Sequence, residues 1–228
     1  MNSLPCLLAL FLLGGTALVA QNLTARPDPA RYSRDIARFE QQQVRQGGIV
    51  FTGSSSIRLW TSLPQDFPDL PVLNLGFGGS IANDLSAHFN TLIARTKPRL
   101  VVTYTGGNDL NAKLSVDEAF ADYIGFLERV HRELPQTRVL INSVKIAASR
   151  ANQIPQVHEL NARLQAWAKN REWARYIDTT AYLADDQGQP IAGFYRKDRL
   201  HLNDEGYRRW KAILEPVLRE EWAKASAP

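Results

Sequence analysis

Short apolar segments alternate with longer amphipathic segments along this chain, and this alternation restricts its possible folds more than any other feature. The apolar segments are residues 48–52, 72–75, 100–104, 139–142 and 176–178. Most are rich in β-branched residues and lack polar–apolar alternation, as expected of strands buried on both faces. Because strand and helix alternate, the sequence predicts an α/β fold, a three-layer α/β/α sandwich around a five-stranded parallel sheet.

The intervening segments carry apolar residues at helical spacing. They cover residues 31–46, 81–95, 116–134, 156–169 and 206–223. One of them has a clear start, since Ser115 can cap a helix and Glu118 can return a hydrogen bond three residues later. A length of 228 residues suits one domain with a full hydrophobic core, and we assign residues 31–228 to it.

The amino-terminal segment differs from the rest of the chain. Residues 1–20 contain no charged side chain, and the small residues Ala17 and Ala20 precede a polar stretch, which is typical of a cleavable secretory signal. We therefore predict an exported protein, periplasmic or secreted, with residues 21–30 as a linker. An uncleaved membrane anchor is the alternative, although the apolar run is short for a span. Sequencing the amino terminus of the exported protein distinguishes the two.

Composition and motifs exclude several kinds of site. The single cysteine, Cys6, lies inside the predicted signal, so the mature chain would have no disulfide, cysteine-ligated zinc or cysteine nucleophile. The net charge of +4 comes from scattered basic residues, which predicts a solvated surface and no nucleic-acid partner. We predict no metal and no cofactor, because the H-E-x-x-H and Walker motifs are absent and residues 76–81 fail the dinucleotide fingerprint.

Polar loops follow the first three predicted strands. They cover residues 53–56, 74–79 and 106–109, and each contains glycine. Because ligands bind beyond the carboxyl ends of parallel strands, the three loops are expected to converge on one site.

A serine, a histidine and a carboxylate supply the chemistry expected at this site. Ser55 stands at the start of a predicted helix, where free N–H groups and the helix dipole favour negative charge. Asp198 lies three residues before His201, so it can accept the Nδ1 proton and leave Nε2 to take a proton from Ser55. This pattern predicts a serine esterase. The alternatives are that the serines only cap the helix and that His201 only precedes one.

Two further residues could supply an oxyanion hole. Gly79 has no side chain, so its backbone N–H can closely approach a substrate oxygen. Asn108 follows two glycines and can direct its amide to the same atom. The alternative is that both are ordinary turn residues.

Taken in order, these segments resemble the conserved blocks of the SGNH hydrolases, also called the GDSL-type esterase/lipase family. The resemblance covers residues 49–218. The family positions filled here are the nucleophile Ser55, the oxyanion residues Gly79 and Asn108, the acid Asp198 and the base His201. The resemblance implies a flavodoxin-like fold, an acyl-enzyme mechanism and a third oxyanion donor, the backbone N–H of Ser55.

The chain departs from the family pattern at one position. The family usually has Asp immediately before the nucleophile, whereas this chain has Ser54. An Asp there would mainly tie loops together, so we expect activity to be retained with altered loop packing. Whether Ser54 or Ser55 attacks the substrate stays open at this stage.

Three functions fit this pattern. The first is hydrolysis of carboxylic esters with short acyl groups, such as acetyl on a carbohydrate. The second is a lysophospholipase or thioesterase acting on longer chains, and the third is a non-catalytic carbohydrate- or lipid-binding module. The partner is therefore expected to be a small-molecule, carbohydrate or lipid ester, with no stable membrane insertion after signal cleavage.

The sequence also suggests what surrounds the site. The pocket is expected to be lined by the aromatic residues Phe194, Tyr195, Trp60 or Tyr104. Lys145 and Arg150 follow the fourth predicted strand. We expect them to be solvated surface residues, with binding of a substrate anion as the alternative.

Overall fold

The computed structural model describes residues 23–226 and contains a five-stranded, all-parallel sheet. Its strands are β1 (Ile49–Gly53), β2 (Val72–Gly76), β3 (Leu100–Tyr104), β4 (Arg138–Asn142) and β5 (Ala174–Ile177). They are ordered β2-β1-β3-β4-β5 across the sheet. The predicted parallel α/β architecture is confirmed, whereas the predicted signal at residues 1–20 lies outside the described residues.

Both faces of the sheet are covered, which explains why the strand segments are apolar throughout. Successive strand residues point to opposite faces. In β1, Val50 belongs to one hydrophobic cluster, whereas Ile49 and Phe51 belong to another. In β3, Val101 lies in the first cluster and Val102 in the second. Each strand therefore needs apolar residues at both odd and even positions.

Helices form the two outer layers. Within residues 23–226 they are α1 (Ser33–Gln41), α2 (Ser55–Arg58), α3 (Leu63–Asp66), α4 (Ala82–Ala87), α5 (Gly107–Asn111), α6 (Val116–Glu133), α7 (Ile154–Ala168) and α8 (Asp204–Ser226). Short 3-10 segments occur at Pro29–Tyr32, Ala148–Gln153, Ala181–Leu183 and Ala192–Phe194. In this described part of the chain, no helix is both long and apolar enough to cross a membrane.

The helices divide between the two faces according to their buried side chains. Phe126 of α6 and Leu160 of α7 pack into the first cluster, together with residues of α1 and α4. Ile57 of α2, Trp210 and Leu214 of α8 pack into the second cluster, beside α3. The sheet therefore lies between two helical layers, as a three-layer sandwich requires.

Helix boundaries follow the predicted pattern with two corrections. Helix α6 begins at the predicted cap, where Glu118 N donates to the Ser115 hydroxyl at 3.2 Å and Ser115 N donates to the Glu118 carboxylate at 2.9 Å. The predicted helix 81–95 is divided into α4 and a π-helical turn at Asn90–Ala94. The predicted helix 31–46 is reduced to α1.

The segment before α1 packs against the domain. Thr24 N donates to a carboxylate oxygen of Glu118 at 2.6 Å, and Arg26 Nε donates to Asp122 at 2.8 Å. Arg31 forms an ion pair with Asp84, whose side chain is fully buried. The described part of the predicted linker is thus held against α6, and Arg31, the residue after it, is held against α4.

Candidate active site

The chain leaves β1 through a turn that requires glycine. Gly53 has φ +136°, and a Cβ at this position would lie 1.9 Å from the carbonyl oxygen of Tyr104. Ser54 N donates to that oxygen at 3.0 Å, and Ser54 occupies the cap position of α2. Ser55 is therefore the first residue of α2, at the carboxyl edge of the sheet, where the sequence predicted it.

The imidazole of His201 lies within hydrogen-bonding distance of both Ser55 and Asp198, the residues predicted as nucleophile and acid. Ser55 Oγ is 2.9 Å from His201 Nε2. His201 Nδ1 is 2.7 Å from Asp198 Oδ2. The fold thus joins residues that are 146 positions apart in the sequence. In this arrangement the Nδ1 proton is shared with Asp198, and Nε2 can accept the proton of Ser55.

Asp198 also fixes the backbone of the turn that carries the histidine. Its Oδ1 accepts hydrogen bonds from Leu200 N at 2.9 Å and His201 N at 3.0 Å. Burial raises the pKa of Asp198, but the hydrogen bonds from the His201 imidazole and the two backbone N–H groups outweigh it. The pKa therefore lies well below its usual value, and Asp198 stays ionised opposite the imidazole at neutral pH.

The two predicted oxyanion residues belong to loops that contact each other. Gly79 is exposed and has φ +83°, a backbone conformation that favours glycine. The Asn108 side-chain N–H donates at 3.0 Å to the carbonyl oxygen of Ser80, the residue after Gly79. The Asn108 amide therefore lies against the Gly79 loop. The structure brings together the loops of all five predicted site residues.

A buried carboxylate ties the same two loops together. Asp109 is fully buried, and its oxygens accept hydrogen bonds from Ala82 N at 2.9 Å and Gly106 N at 3.0 Å. Burial raises the pKa of Asp109 to about 6 against the opposing effect of these backbone donors. The sequence around Asp109 is typical of a turn and holds no signal for this tie between two loops.

Lys145 and Arg150 are not the solvated surface residues that the sequence suggested. The side chain of Lys145 is buried, and its Nζ donates to the carbonyl oxygen of Leu200 at 2.6 Å. Burial, and next the charge of Arg150, lower the pKa of Lys145 to about 7. Arg150 is half-buried and donates to Gly107 O at 2.8 Å and to Asn108 Oδ1 at 3.1 Å. In the sequence, only the position of Lys145 and Arg150 after the fourth predicted strand indicates that they lie near the site.

The expected aromatic lining is found only in part, because Tyr104 borders a small cavity beside the site. Trp60, Tyr104 and Tyr195 are buried in the second hydrophobic cluster, and only Phe194 is partly exposed. Another aromatic residue, Tyr32, also lies near the site. The Tyr32 hydroxyl lies 3.2 Å from where a Cβ on Gly79 would be. Tyr32 precedes α1, far from the motif blocks, so no sequence pattern connected it with Gly79.

A wide groove lies away from these residues. It has a volume of about 870 Å³ and lies among Pro98, Thr137 and Trp173, at the opposite edge of the sheet. A much smaller cavity of about 20 Å³ lies beside the site, lined in part by Tyr104 and Lys145. Among residues 23–226, no cluster of three His, Cys, Asp or Glu side chains is arranged to hold a metal ion.

This sandwich, with serine, imidazole and carboxylate gathered at the carboxyl edge of a parallel sheet, has the fold and the site arrangement of the SGNH-type hydrolases. The sequence matches the GDSL-like Lipase/Acylhydrolase family over residues 46–209, and the chain belongs to that family. It is therefore a hydrolase that acts on ester bonds.

Solved structures share this fold at low sequence identity. A GDSL-like lipase from Bacteroides thetaiotaomicron matches with a TM-score of 0.74 and 20% identity, over 85% of this chain and 99% of that chain. A Bacteroides fragilis protein assigned as an acylhydrolase has a TM-score of 0.74 and 20% identity, with 86% and 100% covered. A catalytic mutant of an acetylxylan esterase from Geobacillus stearothermophilus has a TM-score of 0.59 and 16% identity, with 79% and 96% covered. No curated protein matches the sequence significantly.

Proposed function

We propose that this chain is a serine carboxylester hydrolase that removes short acyl groups, such as acetyl from a carbohydrate, through an acyl-enzyme. One observation carries the proposal. Ser55 Oγ lies 2.9 Å from His201 Nε2, and the other ring nitrogen lies 2.7 Å from Asp198. A hydroxyl in contact with an imidazole that a carboxylate orients is the arrangement that nucleophilic acyl transfer needs.

The mechanism has two acyl-transfer steps. His201 Nε2 takes the Ser55 proton as Oγ attacks the ester carbonyl carbon, and the negative charge moves to the carbonyl oxygen. The N–H groups of Ser55 and Gly79 and the amide of Asn108 stabilise that oxyanion. His201 then protonates the leaving alcohol as the ester C–O bond breaks. In the second step His201 deprotonates a water molecule, which attacks the acyl-enzyme and releases the acid and Ser55.

Two observations support a short acyl group. The aromatic side chains that might have lined an acyl groove are packed in the core instead, as Trp60 and Tyr195 are. The fold shared with an acetylxylan esterase is consistent with acetyl on a carbohydrate as the substrate.

A series of 4-nitrophenyl esters from acetate to decanoate, followed by acetylated xylo-oligosaccharides, tests the proposal. We expect kcat/KM to fall steeply beyond short acyl chains. Ser55→Ala should remove turnover, whereas Ser54→Ala is the matched control and should retain it. Rising rates with chain length would favour a lysophospholipase or thioesterase, and absence of turnover with every ester would favour a binding module. Loss of activity only in Ser54→Ala would move the nucleophile to that residue.

A further inference from the structure

The segment that follows β4, residues 143–150, contacts both halves of the proposed site, and we call it the bracket loop. On one side it touches the turn that carries Asp198 and His201. On the other side it touches the loop that carries Asn108. The catalytic steps above assign no role to any residue of this loop.

Two residues of the bracket loop hold backbone carbonyls of the histidine turn. Lys145 Nζ donates at 2.6 Å to the carbonyl oxygen of Leu200, the residue before His201. The backbone N–H and the hydroxyl of Ser149 donate to Arg199 O at 3.2 and 3.1 Å. The two peptide groups immediately before the imidazole are therefore fixed from outside the turn.

Arg150 holds the amide that is proposed to stabilise the oxyanion. Its guanidinium donates to Gly107 O at 2.8 Å and to Asn108 Oδ1 at 3.1 Å. The Asn108 side-chain nitrogen donates one hydrogen to Ser80 O at 3.0 Å. An asparagine amide has two N–H donors and one acceptor oxygen. With the oxygen held by Arg150 and one N–H by Ser80, the amide orientation is defined, and one N–H stays available for a substrate oxygen.

We propose that the bracket loop aligns the base with the oxyanion hole, with Arg150 positioning the Asn108 amide and Lys145 positioning the turn of His201. The inference rests on the proposed serine mechanism. A buried cation is costly unless it is paired or hydrogen-bonded. The hydrogen bonds that satisfy Lys145 and Arg150 are made to the two loops that carry His201 and Asn108. The groups facing Lys145 are Arg150, Asp198 and the ring of Tyr195, 5.9 Å from Nζ.

A double-mutant cycle between Arg150 and Asn108 tests the inference, with kcat and KM measured on 4-nitrophenyl acetate. Arg150→Met should lower kcat about 10–100-fold with little change in KM, because one oxyanion donor supplies roughly 10²–10³-fold. In an Asn108→Ala background the same substitution should lower kcat by less than about threefold, because the amide it orients is already absent. Arg132→Met, on the exposed surface of α6, is the matched control and should leave kcat unchanged.

Several outcomes would overturn the inference. Equal losses of kcat in the two backgrounds would mean that Arg150 does not act through Asn108. A higher KM at unchanged kcat would assign Arg150 to substrate binding instead. If Arg150→Met does not fold, Arg150→Lys goes through the same cycle, since lysine keeps the charge but cannot present the guanidinium fork to both acceptors.

Lys145→Met tests whether the bracket loop also positions the turn that carries His201. We expect kcat to fall about tenfold at unchanged KM, since small displacements of a catalytic group cost about that much or more. A variant with lowered thermal stability and full kcat would overturn the positioning role of Lys145. Failure of the serine mechanism is a separate result, because it would appear as activity retained in Ser55→Ala. If Ser55→Ala inactivates the protein but the effects of Arg150→Met and Asn108→Ala on kcat are additive, the serine mechanism stands. Only the positioning role of the bracket loop is then rejected.

Discussion

Arg199, between the acid and the base, adopts a left-handed backbone conformation with φ +54°. A non-glycine residue in this region costs about 1–3 kcal/mol, and the strain persists only where the surroundings fix it. The turn directs two backbone N–H groups to Oδ1 of Asp198, so Oδ2 is left for the imidazole. Ser149 donates twice to the Arg199 carbonyl and holds the strained residue in place. A single unusual residue thus lets one carboxylate both shape the turn and orient the base.

At the same scale, Gly79 should tolerate no side chain. Gly79→Ala places a Cβ at a backbone φ of +83° and 3.2 Å from the Tyr32 hydroxyl. We expect kcat/KM to fall about 10–100-fold, because the backbone N–H that is proposed to stabilise the oxyanion is displaced. Tyr32→Phe should restore only part of the activity in this background, since it relieves the contact but not the backbone strain.

The control for this experiment is Gly125→Ala. Gly125 lies in α6, where a Cβ would meet no atom within 4 Å. This variant should keep wild-type kcat/KM and gain stability, because alanine is favoured over glycine in helices. Wild-type activity in Gly79→Ala would show that a side chain at this position neither strains the loop nor displaces its backbone N–H.

At the scale of loops and helices, the site depends on a carboxylate that never meets the substrate in the proposed mechanism. Asp109 accepts hydrogen bonds from Ala82 N, at the start of α4, and from Gly106 N, before α5. It therefore joins the loops after β2 and β3, which carry Gly79 and Asn108. Two buried backbone donors would lose their partner without it, and an unsatisfied buried group costs about 1–3 kcal/mol.

This tie predicts an unusual dependence of stability on pH. The pKa of Asp109 is raised to about 6 by burial, whereas an unfolded aspartate titrates near 3.9. Between these values the folded chain binds the additional proton, so its stability must fall as the pH rises from about 4 to about 6. Above about pH 7 the group is ionised in both states and adds no further slope.

Urea denaturation of the wild type and of Asp109→Asn measures this contribution. The stability of the wild type relative to the variant should decrease from about pH 4.5 to about pH 7, an interval that brackets the titration, and then stay constant. Asp186→Asn, which removes a carboxylate from an exposed turn, is the control, and its effect on stability should not change in this way with pH. A difference that grows with pH over this interval would contradict the raised pKa.

The order of elements could be predicted because burial on both faces leaves a strong signal in the strands. Segment 100–104 is apolar at nearly every position, and Leu100–Tyr104 forms β3, which is wholly buried. The division of the segment 81–95 could not be predicted. Leu85, Phe89 and Leu92 all reach the same cluster. Their side-chain pattern therefore does not distinguish a continuous α-helix from one interrupted by a π-helical turn.

The residues of the candidate site also fall into two groups, those that the sequence predicted and those whose contacts it did not predict. Ser55, Asp198 and His201 could be predicted because their motifs occur together in the order typical of the family, although each motif alone is weak. Lys145 and Arg150 could be placed at the correct edge of the sheet, but not in their contacts. Their partners are mostly backbone carbonyls of distant loops, and every residue has a carbonyl, so the sequence holds no signal for the pairing.

At the scale of the whole molecule, the last helix is tied to the sheet by a buried carboxylate. Glu221 of α8 is fully buried and forms ion pairs with Arg138 of β4, Arg175 of β5 and Lys224. Trp210 and Leu214 of the same helix pack into the second cluster. The sequence pattern predicted the amphipathic helix, while the ion pairs fix its register on the sheet.

The segment before α1 extends this packing beyond the part of the chain that matches the family. Residues 23–32 precede the family match at 46–209, yet Arg26 pairs with Glu118 and Asp122 of α6. Tyr32 packs edge-on against Phe77, with ring centroids 4.9 Å apart. Burial raises the pKa of Asp84, to which Arg31 supplies the opposing charge. The segment therefore contributes both to stability and to the wall beside Gly79.

Removing this segment should destabilise the fold and alter the site together. A chain that starts at Ser33 leaves Asp84 buried without its arginine, and breaking a buried pair costs up to about 3–5 kcal/mol. Because Arg31 is 31% exposed, we expect a loss of about 2–3 kcal/mol relative to a chain starting at Leu23. Urea denaturation measures this loss, and Arg31→Met in the full chain should reproduce most of it. Arg38→Met, which removes an exposed pair with Asp35, is the control.

The same truncation separates the two contributions of the segment. Arg31→Met keeps Tyr32 beside Gly79, so its kcat/KM should stay near that of the wild type at temperatures where it is folded. The shortened chain also lacks Tyr32, so its KM for esters should change even where it is fully folded. Equal stability of the chains starting at Leu23 and Ser33 would show that the segment only lies on the surface. In that case a change in KM would assign Tyr32 to the substrate pocket independently of the ion pair.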